Sequence, residues 1–67
     1  MKVNDILKKI DDCGLYIEFI DSESGASYGF YKKNDAYIVY GDVKNKKVVS
    51  INAQRYNSKR LLVLKIK

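Results

Sequence analysis

Apolar positions along this chain change period once, near Gly14. Before it, Val3, Ile6, Leu7 and Ile10 recur at i, i+3, i+4 and i+7, the spacing that puts one apolar stripe on a helix. Asn4 fits as the N-cap, and Asp5 fits the first turn, where the helix dipole favours negative charge. Gly14 can take the left-handed conformation that closes a helix. A helix of about nine residues does not persist alone, so the stripe predicts packing against a sheet.

After Gly14 the period is two. Leu15, Ile17 and Phe19 alternate with Tyr16, Glu18 and Ile20 on a first strand that ends near Asp21. Ser22-Glu23-Ser24-Gly25 reads as a turn. The stretch from Ser27 to Gly41 holds four of the six tyrosines and one of the two phenylalanines. It predicts a hairpin about Asn34-Asp35, with arms at roughly 26–32 and 36–41. On its first arm Tyr28 and Phe30 share a face assigned to the core, which leaves Tyr31 outward. Lys44-Asn45-Lys46 is the next turn, and Val49, Ile51 and Ala53 then alternate with Ser50, Asn52 and Gln54. Asn57-Ser58 turns the chain into Leu61-Leu62-Val63-Leu64-Lys65-Ile66, and no proline interrupts any strand.

That closing strand is apolar on both faces. Leu62, Leu64 and Ile66 are expected to face the helix, with Leu61 and Val63 on the other side together with Val48. The expected fold is α+β, one domain over residues 1–67. A short N-terminal helix packs on a roughly five-stranded antiparallel meander. Its second apolar face is satisfied by curling toward a small barrel, or by a second copy in a homo-oligomer through the Leu61 and Val63 face.

Composition narrows the chemistry. A chain of 67 residues buries only about 60% of its unfolded surface on folding, so the margin of stability is thin. Cys13 is the single cysteine and histidine is absent, which removes an intrachain disulfide and the usual zinc sets. No apolar run approaches the ~20 residues of a membrane span. The N-terminus lacks the pattern of a signal peptide, and with an unpaired thiol this suggests a cytoplasmic protein. The net charge is +5, unevenly placed. Residues 1–31 carry three lysines against six acids, a net of −3, and residues 32–67 carry ten basic residues against two acids, a net of +8. Such a one-signed half suits a polyanion or an acidic protein surface as partner. Lysines on exposed strand faces also protect a small β-rich protein from aggregation.

Catalysis is poorly supplied. Without histidine, and without a carboxylate pair among apolar residues, no group is poised as a general base near neutral pH. Cys13 has no neighbouring base to activate it. Asp21-Ser22-Glu23-Ser24-Gly25 opens like a calcium loop, but Lys32 stands where such a loop needs its bidentate glutamate. The expectation is a protein that is not an enzyme and has no cofactor or metal. Tyrosine, with a rigid apolar body and a polar tip, suits interfaces, and six are more than so small a core can readily satisfy.

Two resemblances bear on what is bound. Tyr28-Gly29-Phe30-Tyr31-Lys32-Lys33 resembles the aromatic–glycine–aromatic strand of cold-shock domains, which are five-stranded barrels that bind single-stranded nucleic acid. The tryptophan-containing strand that precedes the motif in that family has no counterpart here. The layout as a whole is similar to small uncharacterised accessory proteins of bacteriophages and mobile elements. Here that layout is the opening Val3-Asn4-Asp5-Ile6-Leu7 and the closing Val48-Val49-Ser50-Ile51 and Leu62-Val63-Leu64-Lys65-Ile66. That likeness implies a non-catalytic binder, in some cases one that blocks a host defence component.

Together these give a leading expectation and two alternatives. The first is a stoichiometric, phage-type accessory or anti-defence protein that binds a protein or a nucleic-acid-containing complex in the host cytoplasm. The second is a single-stranded nucleic-acid binder using an aromatic and basic sheet surface. The third is a binder of an anionic nucleotide-like ligand. The candidate binding residues are Tyr31, Lys32, Lys33, Tyr37, Tyr40, Lys46, Lys47, Arg55, Tyr56, Lys59 and Arg60.

Overall fold

The computed structural model describes residues 1–11, 14–33 and 41–67. The expected turn at Asn34-Asp35 and the arm with Tyr37 and Tyr40 lie outside them, as does Cys13. Helix α1 spans Val3–Leu7, shorter than its apolar stripe suggests. Its N-cap is Lys2 rather than Asn4. The Lys2 backbone N–H donates to Asp5 Oδ2 at 3.0 Å, so the first-turn acid holds the start of the helix from within. Ile10 lies beyond the helix and still packs on the core with Leu7.

Four strands follow: β1 (Tyr16–Asp21), β2 (Ser27–Lys32), β3 (Val48–Tyr56) and β4 (Lys59–Ile66). They form one sheet in the order β2-β1-β4-β3. β1 pairs antiparallel with β2 and β3 with β4, while β1 and β4 lie side by side in parallel. The expected meander is therefore replaced by two hairpins joined through their inner arms. Neither a fifth strand nor a closed barrel appears among the described residues. The cause lies in β4. A strand apolar on both faces gains most where neighbours flank it on both sides, so it is inserted beside β1 instead of ending the sheet at an edge.

Both turns read from the sequence within these hairpins are present. Asp21 Oδ2 accepts from the Ser24 backbone N–H at 2.9 Å and from Ser24 Oγ at 2.7 Å. Gly25, at φ 77°, donates its N–H back to the Asp21 carbonyl. Between β3 and β4, Asn57 and Ser58 both have positive φ, 51° and 63°, the two-residue type I′ geometry that matches strand twist.

The core lies between α1 and one face of the sheet. Val3, Ile6, Ile17, Phe19, Val43, Leu64 and Ile66 form it, and Leu62, Val48, Tyr28 and Tyr31 pack around it. Val48 thus belongs to the helix side, contrary to its expected place. Val43, reached through the turn at Lys44-Asn45, seals the end of α1. The Asn4 N–H bonds the Lys44 carbonyl there, and the Val3 N–H bonds that of Lys46, both at 3.0 Å.

One irregularity reverses the expected faces of β2. Phe19 pairs with Gly29 and Ile20 with Ser27, so Tyr28 is an extra residue with no partner on β1. The bulge turns Tyr28 and Tyr31 toward the core and puts Phe30 on the opposite face, 41% exposed. The expected assignment of Phe30 to the core and Tyr31 to the outside is corrected accordingly. Truncating a buried aromatic costs ~3–5 kcal/mol. Phe19→Ala should therefore abolish cooperative thermal unfolding in a domain of this size, whereas Phe30→Ala should leave a folded protein with a melting temperature near that of the parent.

Candidate functional site

The face of the sheet turned away from α1 carries no other helix or strand among the described residues. Its composition follows from the pairing. Three rows cross β2, β1, β4 and β3 in that order: Lys32, Tyr16, Leu61 and Gln54; then Phe30, Glu18, Val63 and Asn52; then Ser27, Ile20, Lys65 and Ser50. Lys59 and Tyr56 extend the first row toward the β3–β4 turn, paired with each other. Val63 at the centre is only 6% exposed although it stands outside the helix-side core. Leu61 is half-buried. This face therefore encloses its own small apolar centre.

Around that centre stand aromatic rings and ammonium groups. Lys32 Nζ lies 4.8 Å from the centroid of the Tyr16 ring and Lys59 Nζ lies 5.1 Å from it. Each such contact is worth ~0.5–1 kcal/mol at an exposed site, so Tyr16 holds two cations beside one ring. Phe30 is partly open on the next row, and Tyr56 is 68% exposed at the far edge. Lys65 adds a third ammonium. The described face thus offers Lys32, Lys59 and Lys65 against one carboxylate, Glu18. That carboxylate is engaged at the β2 side, where Ser27 Oγ donates to Glu18 Oε2 at 3.0 Å.

Of the residues singled out from sequence, Lys32, Tyr56 and Lys59 come together here. The rest do not. Tyr31 packs on the core and lines a hollow with Leu7, Phe19 and Val43. Lys33 reaches back to the α1 side, where its Nζ donates to the Ile10 carbonyl at 3.3 Å and meets Asp11 Oδ1 at 3.5 Å. Lys46 Nζ lies 5.5 Å from the Tyr28 ring, and Lys47 is exposed at the start of β3, where its backbone is bonded to that of Lys67. Arg55 and Arg60 oppose each other on the helix-side face, where they line a shallow groove of about 400 Å³ with Leu15, Ala53 and Leu62. Tyr37 and Tyr40 lie outside the described residues.

Tyr16, Phe30 and Lys65 were missed as site residues. Strand alternation already placed Tyr16 and Lys65 opposite the helix-facing set, and that was the available signal. For Phe30 the bulge hid it.

No group of three or more metal-ligating side chains occurs among the described residues. No helix there is long and apolar enough to cross a membrane. No protein-family model matches the chain, and no curated protein or solved structure matches it.

Among the described residues, Asp21 in the turn between β1 and β2 has a perturbed ionisation. The hydrogen bonds from the Ser24 hydroxyl and the Ser24 backbone hold the Asp21 carboxyl below the usual carboxylate range. A depressed folded pKa contributes stability above the unfolded value, and that contribution is lost as pH falls through the folded one. In an NMR titration the Asp21 carboxyl should protonate at lower pH than a model aspartate. Ser24→Ala should move its midpoint up toward the ordinary value.

Proposed function

We propose that this protein is a non-catalytic binding module that takes a single nucleic-acid strand on the helix-free face of its sheet. The observation that carries the reading is the Tyr16 ring flanked by the Lys32 and Lys59 ammonium groups, with Phe30 and Tyr56 exposed on the same face. Aromatic rings on an open sheet can accept unstacked bases, and ammonium groups between them can neutralise the phosphates. Strand spacing of about 4.8 Å puts Phe30 on β2 and Tyr56 on β3 some three strands apart. The two rings thus sit at opposite margins of the face, with Tyr16 between them. Glu18 repels phosphate locally, so the backbone of the strand would run along the row of Lys32 and Lys59.

A second reading has its own support. A stoichiometric accessory protein of phage type, blocking an acidic surface on a host or defence protein, would use the same face. The half-buried Leu61 beside the exposed aromatic side chains of Phe30 and Tyr56 is a mixture found at protein interfaces.

Fluorescence anisotropy of a short labelled single strand, titrated at rising salt, distinguishes the two. With the two lysines of that row engaged, the logarithm of the binding constant should fall with the logarithm of salt at a slope of about −1.4. Lys59→Ala should make that slope shallower by about 0.7. Phe30→Ala or Tyr56→Ala should each lose ~1–3 kcal/mol of binding. Arg55→Ala, on the other face, should change affinity little. Absence of binding at low salt rejects the nucleic-acid reading in favour of the protein-binding one.

A further inference from the structure

β3 is an edge strand of nine residues, and almost all of it is exposed. Val49 and Ile51 are 57% and 54% exposed. Natural edges are blunted by lysine, proline or a covering segment, and among the described residues most of β3 has none of these. From Val48 to Gln54 it carries no charge, in a chain of which 31% is charged. Its first residue is covered, because the Val48 N–H donates to the Met1 carbonyl at 2.8 Å and Lys2 bridges Lys47. Its last residue, Tyr56, closes the turn. What stays open is the stretch from Val49 to Arg55.

The two-residue turn sets which backbone groups of that stretch point outward. Tyr56 and Lys59 close it as a hydrogen-bonded pair, so Gln54 and Asn52 bond inward to β4. Ile51, Ala53 and Arg55 present their N–H and C=O groups away from the sheet. We infer that this edge pairs antiparallel with the same edge of a second copy, centred on Asn52, to give a dimer with one continuous eight-stranded sheet.

The register follows from the limits of the open stretch, whose midpoint is Asn52. Ile51 then faces Ala53 of the second copy twice, an apolar pair on the helix side. Arg55 faces Val49, and the two Arg55 side chains stay apart. A shift toward the turn would bring the two Arg55 side chains nearer each other, and a pairing centred on Arg55 would set them directly opposite, which is unfavourable. A charged partner strand gains nothing from a neutral edge, whereas a second neutral edge in a molecule of net charge +5 avoids repulsion at the seam. The two-fold axis is perpendicular to the sheet, so both helix-free faces lie on one side. If the reading above holds, the dimer doubles the length of strand that the protein can carry.

Sedimentation equilibrium without nucleic acid tests this separately from binding. The wild-type chain should sediment at about twice its 7.7 kDa mass. Ala53→Pro removes an N–H that the β3–β4 ladder does not use, and should give a monomer with unchanged circular dichroism. Asn52→Lys sets like charges opposite at the axis and should weaken the dimer up to about 5-fold. Mixing it with Asn52→Asp should restore a one-to-one dimer. A wild-type monomer at high micromolar concentration overturns the inference. A dimer that survives Ala53→Pro in a folded protein overturns it equally, as does a mixture of the Asn52 variants no tighter than Asn52→Lys alone.

Discussion

The run Leu61 to Leu64 has apolar side chains on both faces of one strand, and the rest of the structure answers to it. At a sheet edge such a strand would leave one line of backbone groups and part of its apolar surface in water. Set between β1 and β3, it bonds on both sides and buries Leu64 and Ile66 against α1, with Val63 buried on the other face. The β3–β4 turn fixes the direction in which β4 runs, and that direction makes its contact with β1 parallel. Two local hairpins thus become one sheet through a contact between residues far apart in sequence.

With the inner positions taken, β2 and β3 become the outer two of the described strands. Of these, β3 has the most polar outward residues, Ser50, Asn52 and Gln54. Length matters as well. Helix α1, five residues long, covers about 7 Å of sheet, while a nine-residue strand spans roughly 30 Å. The helix seals the half of the sheet near Ile17, Phe19, Leu64 and Ile66. The alternating apolar residues Val49, Ile51 and Ala53 predict a covered face on β3, and the short helix leaves them uncovered.

How much of the site was legible depends on distance along the chain. Lys32, Tyr56 and Lys59 could be nominated because they are aromatic and basic residues in or beside turns, and hairpin pairing is local. Arg55 and Arg60 have the same chemistry but fall one position out of phase, so alternation sends them to the helix side. Tyr31 and Phe30 exchanged roles through one extra residue at Tyr28, since a single-residue slip moves every following side chain to the other face. Gly29, at φ 121°, allows that bulge, and its place in an aromatic run is the only sequence trace of it. The cluster of Tyr16 with Lys32 and Lys59 joins three strands, two of them in parallel contact, and no local pattern foretells it.

The sequence by itself determined the class of fold, the helix-then-strands order, the presence of turns at Asn57-Ser58 and Ser22-to-Gly25 and most of the core. Each of these rests on periodicity or on a residue's own backbone preferences, which act over a few positions. Only the tertiary structure decided the order of strands, the parallel seam between β1 and β4, the face that Phe30 occupies and the edge left open along β3. Those depend on which apolar surfaces find each other once the chain closes on itself. That competition is settled by total burial, and no short stretch of sequence contains it.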